Sequence, residues 1–186
     1  MMRLRLFALH ALLATTLLAV PTLASGPAPE RPTQRFEINF MEGTIEHHLL
    51  GVAMAELCVQ KTTEPPPEGD TTLRELCASI AQNQAAEAAQ LQSWLRDWYG
   101  IEFEPDIKPG PLKQLERAEG EQFDIKVSDM FIEHHLVQLK NSTKCLLKAF
   151  HPELLALCQQ TIVAQSAEIL TFRDILQQHG EDFHGS

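Results

Sequence analysis

The chain has 186 residues and a formal charge of −10, a length that suits one domain with a sizeable core. Its 25 acidic against 15 basic residues exclude the cationic surface that nucleic acid demands. It has no Gly-rich phosphate loop, no nucleophile elbow and no Cys-x-x-Cys, so those chemistries have no sequence signal.

Residues 1–24 read as a secretory signal peptide. Arg3 and Arg5 precede an apolar run from Leu6 to Val20, and Pro21, Thr22 and Ala24 follow. The run falls short of the roughly 20 residues that a permanent span needs, and no later stretch is apolar enough. The expectation is an exported protein, periplasmic or extracellular, with no stable membrane span after signal cleavage. Loss of Arg3 and Arg5 takes the charge to −12. Residues 25–35, rich in proline and polar side chains, read as a flexible lead-in.

From Phe36 to Lys61 apolar residues recur at helical spacing. The proline-rich KTTEPPPEGD is a turn. Asp70, Thr71 and Thr72 offer N-caps for a second helix, with Glu75 placed for a capping box, and that helix stops at Gly100. Residues 100–122 form a connector, in which PLKQLERAEG can make a short helix with Pro111 at its first position. A third helix runs from about Phe123 to Ala149, and His151-Pro152 starts a fourth that ends near Gly180. Residues 181–186 are a tail. No stretch shows convincing period-two alternation. The fold class is all-α: a four-helix bundle over 36–180, made of two αα-hairpins, 36–99 and 123–180.

The hairpins are copies of each other. Ile45-Glu46-His47-His48-Leu49 recurs as Ile132-Glu133-His134-His135-Leu136 at an offset of 87, and Cys58 recurs as Cys145. In the second helix of each half, Cys77, Gln84 and Glu87 recur as Cys158, Gln165 and Glu168 at an offset of 81. Each cysteine pair flanks one turn, so disulfides 58–77 and 145–158 are expected to staple the hairpins, at about 2–4 kcal/mol each. The alternative is four buried thiols. Those staples set His48 level with Glu87 and His135 level with Glu168.

The apolar seams place His48, Glu87, His135 and Glu168 on the inward side, with Gln84 and Gln165 near them. Polar groups in a core must satisfy each other, a water or a metal. Imidazoles and carboxylates facing inward from four helices are what a bundle uses to hold metal ions. His47 and His134, beside the seam, are further ligands, outer groups or surface residues. Glu46 and Glu133 are expected to face solvent. The mature chain's methionines, Met41, Met54 and Met130, lie near the histidine pairs, and thioether beside imidazole favours Cu(I).

The stretches FEINFMEGTIEHHLLGVAMAELC, QNQAAEAAQLQSWL, QFDIKVSDMFIEHHL and AQSAEILTF resemble the DUF305 family over roughly residues 36–178. The resemblance implies an exported, ferritin-like four-helix bundle, and some members are similar to periplasmic copper-binding proteins. Carried onto this chain, it points to Met41, His47, His48, Met54, Met130, His134 and His135. The chain departs from that pattern in lacking Met-rich tracts and in having LVQLKNSTK where its first half has LLGVAMAEL.

The sequence thus points to an exported, non-enzymatic metal-binding protein, with copper the first candidate for its ion and with its protein partners unknown. The alternative is a structural or partner-binding bundle whose His, Glu and Gln core is hydrogen-bonded and metal-free. A di-metal redox enzyme ranks below both, because Gln-x-x-Glu stands where di-iron bundles use Glu-x-x-His and only two Glu face inward.

Overall fold

The computed structural model describes residues 26–62, 73–181 and 183. The leader, the proline-rich turn with its caps at Asp70, Thr71 and Thr72, and most of the tail lie outside these. Five helices follow in order: α1 Arg31–Lys61, α2 Leu73–Tyr99, α3 Gly110–Glu116, α4 Gly120–Lys148 and α5 Pro152–Gln178. The four long helices pair as antiparallel hairpins, α1 with α2 and α4 with α5, and the hairpins meet chiefly through α1 against α4.

Local chemistry sets the ends. α2 is rich in Ala, Gln, Glu and Leu, good helix formers, and it stops at Gly100, whose φ of 65° only glycine adopts freely. There the N–H of Ile101 bonds the Leu95 carbonyl at 3.1 Å. Disulfides Cys58–Cys77 and Cys145–Cys158 close the two turns. Each lies in a different apolar cluster. One end of the bundle packs Met54, Ile80, Leu115, Phe123, Phe131 and Phe172. The other packs Met41, Ile45, Leu91, Trp94, Trp98 and Leu154.

Two segments differ from the sequence expectation. The lead-in 25–35 is not loose over its described part. α1 already begins at Arg31, with Pro32 in its first turn, where a missing N–H costs nothing. Ala28 is fully buried and its carbonyl accepts Gln34 Nε2–H at 2.5 Å. The prolines of this segment are compatible with both the helix start and the docking of Ala28.

The connector also has an order that helical periodicity did not reveal. Ile101, Phe103, Pro105 and Ile107 are half-buried, while Glu102, Glu104, Asp106 and Lys108 are exposed. This is the period-two pattern of an extended strap lying on a surface. It leads into α3, which Lys61 anchors. The Lys61 ammonium donates to the carbonyls of Glu116 at 2.8 Å and Ala118 at 2.6 Å and pairs with Glu119 at 2.7 Å, above the Phe123 ring. A cation at the carbonyl end of a short helix satisfies groups the helix leaves open.

Lys61→Met removes these bonds while keeping the apolar stem. It should lower unfolding stability by about 1–3 kcal/mol. Hydrogen exchange should show faster exchange over Gly110–Glu116 and unchanged protection in α2 and α5.

Candidate functional site

Between the two apolar ends lies a polar layer. Its centre is a pair of histidines related by the repeat. His47 Nε2 donates to the His134 carbonyl at 3.1 Å, and His134 Nε2 donates to the His47 carbonyl at 3.0 Å. Their rings stack with centroids 3.7 Å apart and planes 12° from parallel. A carbonyl only accepts, so each Nε2 carries the hydrogen and each Nδ1 keeps a lone pair. Burial, reinforced by the neighbouring imidazoles, keeps both rings neutral. It pushes His47 down to about 4 and His134 well below the usual imidazole range.

On either side sits a His–Glu pair. His48, fully buried, bonds Glu87 Oε2 through Nε2 at 2.7 Å, and Thr161 donates to the same oxygen at 3.3 Å. His135 Nε2 approaches Glu168 Oε2 to 2.8 Å, although the ring is not aligned for a hydrogen bond. His135 Nδ1 lies 3.5 Å from His134 Nδ1.

Close approach at Gly51 makes this layer possible. A Cβ there would meet Gln84 Oε1 at 2.1 Å and His134 Cε1 at 2.8 Å. Several buried atoms in the layer have no hydrogen-bond partner: His48 Nδ1, both amide atoms of Gln84, Gln138 Oε1 and Gln165 Oε1. Such orphans are rare in native cores and mark a place for a water or an ion.

All four motif histidines come together in this layer, with Glu87 and Glu168 behind two of them. The methionines divide: Met41 belongs to one apolar end, Met54 and Met130 to the other. Among the described residues no three His, Cys, Asp or Glu side chains converge as a ready cation site. Glu46, expected in solvent, is half-buried and accepts the Asp106 N–H at 3.1 Å, so it holds the connector.

Sequence reasoning missed a second polar cluster. Glu37, fully buried, accepts from Tyr99 Oη, from the N–H groups of Phe150 and His151, and from His151 Nδ1 at 2.7 Å. Burial alone would raise its carboxyl, but these four donors outweigh burial and hold it below the usual range. At its repeat counterpart, Asp124, burial dominates and the carboxyl is raised. His151 Nε2 also meets the Gly26 carbonyl at 3.1 Å. Both ring nitrogens of His151 thus face acceptors, and the ring stacks 3.8 Å from that of Trp98. The one signal in the sequence was the Phe-Glu-Ile and Phe-Asp-Ile match of the two halves.

The model of the family described as a domain of unknown function, DUF305, matches residues 37–109 and again 106–176. A comparison with curated proteins found no match. Among solved structures, CopM in its Cu(I)-bound form is 24% identical over 77% of this chain and 96% of its own, with a TM-score of 0.68. CopM in its Cu(II)-bound form is 25% identical over 76% and 97%, with a TM-score of 0.66. A DUF305 protein from Streptomyces coelicolor is 20% identical over 81% and 96%, with a TM-score of 0.69.

Two outcomes are expected. Gly51→Ala gains up to about 1 kcal/mol in helix propensity but drives a methyl into a His134 ring fixed by its stack. Net destabilisation of about 1–3 kcal/mol should appear in denaturant unfolding. Acid should act in two windows. His47 is neutral in the fold down to about 4, whereas the unfolded chain protonates near 6.5. Stability is therefore full above 6.5 and falls as pH drops towards 4, by about 3 kcal/mol for this one group. The Glu37 contribution is present above 4.5 and is lost only as pH falls through its lowered folded value. Unfolding curves from pH 7.5 to 3 check both windows, and the first should flatten in His47→Asn.

Proposed function

We propose that this chain, which belongs to the DUF305 family, is an exported, non-enzymatic protein that binds a metal ion in the polar layer of its bundle, with copper the first candidate. The observation that carries this reading is the layer itself. Four imidazoles gather at one level of a core, two are held neutral by burial, and several buried donor and acceptor atoms beside them have no partner. The copper-bound forms of the similar bundle protein CopM supply the choice of ion. The leader read in residues 1–24 and the two disulfides fit an oxidising compartment outside the cytoplasm.

The donor set fits a borderline or soft ion. His134 and His135 present their Nδ1 atoms to each other at 3.5 Å, and His48 offers a buried Nδ1. Met54 and Met130 belong to one flanking apolar end and Met41 to the other, and a thioether reaching the ion would add preference for Cu(I). Glu87 and Glu168 lie at the far ring nitrogens of His48 and His135. In that position Glu87, hydrogen-bonded to His48, orients that imidazole rather than ligating, and Glu168 sets a carboxylate beside His135. His47 orients His134 by the stack. Bound copper would be held as cargo by these side chains.

A second reading has its own support. The Nε2 atoms of His47 and His134 already hold backbone carbonyls, and no three His, Cys, Asp or Glu side chains converge as a cation site among the described residues. On that reading the layer is a metal-free hydrogen-bonded register device.

Titration of the mature protein with Cu(I), Cu(II) and Zn(II) separates the two. Stoichiometric copper binding should weaken at least about tenfold in His134→Ala/His135→Ala and less in Glu168→Gln. Absence of binding by the wild-type protein, with the variants merely less stable, would leave the metal-free reading.

A further inference from the structure

We propose that the outer face of α4, from Glu133 to Lys148, is a docking site for an extended acidic segment of a partner protein. The fold shows how the equivalent face is used in its other copy. On α1, Leu49, Leu50, Ala53 and Leu57 are half-buried. The connector shares their clusters: Ile101 and Phe103 join the apolar end that includes Leu49, and Leu112 and Leu115 join the end that includes Leu50 and Leu57. Two polar anchors hold it there. Glu46 accepts the Asp106 N–H, and Lys61 caps the carbonyls at the end of α3.

The offset of 87 carries both anchors onto α4, Glu46 to Glu133 and Lys61 to Lys148. It also carries Leu49 and Leu50 to Leu136 and Val137. The connector follows α2, and among the described residues no segment of comparable length follows α5, the hairpin partner of α4. The face is left open: Leu136 is 46%, Val137 51% and Leu147 80% exposed. Lys148 lies over the ring of Phe36 at one end of it.

Charge names the occupant. Where α1 has Ala53 and Leu57, α4 has Lys140 and Lys144, both exposed. From His134 to Pro152 there are three Lys and no Asp or Glu, in a chain of net charge −10. Lys140, Lys144 and Leu147 share the outward side of the helix at spacings of three and four. The segment covering α1 alternates apolar residues with Glu102, Glu104 and Asp106. A partner strand of that kind would cover Leu136, Val137 and Leu147 and bring carboxylates to Lys140 and Lys144. Its backbone carbonyls would be free for Lys148, as in other extended-peptide sites. A second copy is disfavoured as the occupant, since its connector is already bound to its own α1 and both copies are acidic. The inference does not depend on metal binding.

The test titrates isotope-labelled protein with a synthetic peptide of residues 100–119, the connector's own sequence, following amide shifts. Shifts confined to 133–148, with affinity at least about tenfold weaker in Lys140→Glu/Lys144→Glu and in Leu147→Ser, support the site. These positions are exposed, and unchanged melting temperatures would show that the variants fold. The proposal is overturned if the peptide shifts nothing at millimolar concentration. Shifts on α1 instead, from exchange with the resident connector, also overturn it. So does equal binding of a peptide with Glu102, Glu104 and Asp106 made neutral. Binding of the same face to phosphatidylglycerol vesicles, with no peptide binding, would overturn it in favour of a lipid surface.

Discussion

The reciprocal contact of His47 and His134 governs the architecture. Each ring gives its hydrogen to the backbone of the other helix, so α1 and α4 are locked in one register by side chains that are copies of each other. A helix carbonyl that accepts a second bond tolerates this only if the helices approach closely. Gly51 provides that approach beside His134 and Gln84. Apolar side chains packed between two hairpins allow sliding by a turn. A polar exchange at one level does not.

The two ends are secured by different chemistry. At one end an ionised Glu37 with four donors binds α1, α2 and the α4–α5 turn, and His151 extends the network to Gly26. At the other, Lys61 ties α1 to the connector. Glu37 is buried and Lys61 half-buried, and Glu37 has its acceptor positions filled, the condition under which burial of a charge is tolerated. The consequence is a bundle in which hairpin register, connector path and lead-in are set by polar groups, while Phe, Leu and Trp supply the bulk of apolar burial.

Much of this was legible in the sequence. Helical spacing, the proline-rich turn, Gly100 and Gly180 gave the hairpins, and the repeat gave the disulfide pairing and the levels of His48 and Glu87. Phase was harder to read. On α1 the buried residues past His48 include Gly51, Met54 and Cys58, and a strict seven-residue seam misses them because it drifts by about 20° per heptad along a helix of 31 residues. The stacked pair was invisible for a related reason: two neighbouring histidines can both face inward only if one points across to the adjacent helix, and that depends on how α1 and α4 cross. The role of Glu37 lay outside local patterning altogether, since its donors come from 62 to 114 residues away.

Duplication makes the two halves alike at the histidines and unlike around them. Gly51 in the first copy is Gln138 in the second, Thr44 is Phe131, Met41 is Ser128 and Met54 is Asn141. The consequences follow ring by ring. His48 keeps an unpartnered Nδ1, whereas His135 turns its Nδ1 to His134 and lies against Phe131 and Phe172. The layer therefore holds two chemically different half-sites on one pseudo-symmetric frame. An ion choosing between them would find two facing imidazole nitrogens in the second half and one in the first, with Met130 on the same helix as the facing pair. The repeat supplies the scaffold, and its divergence makes the two halves of the layer chemically different.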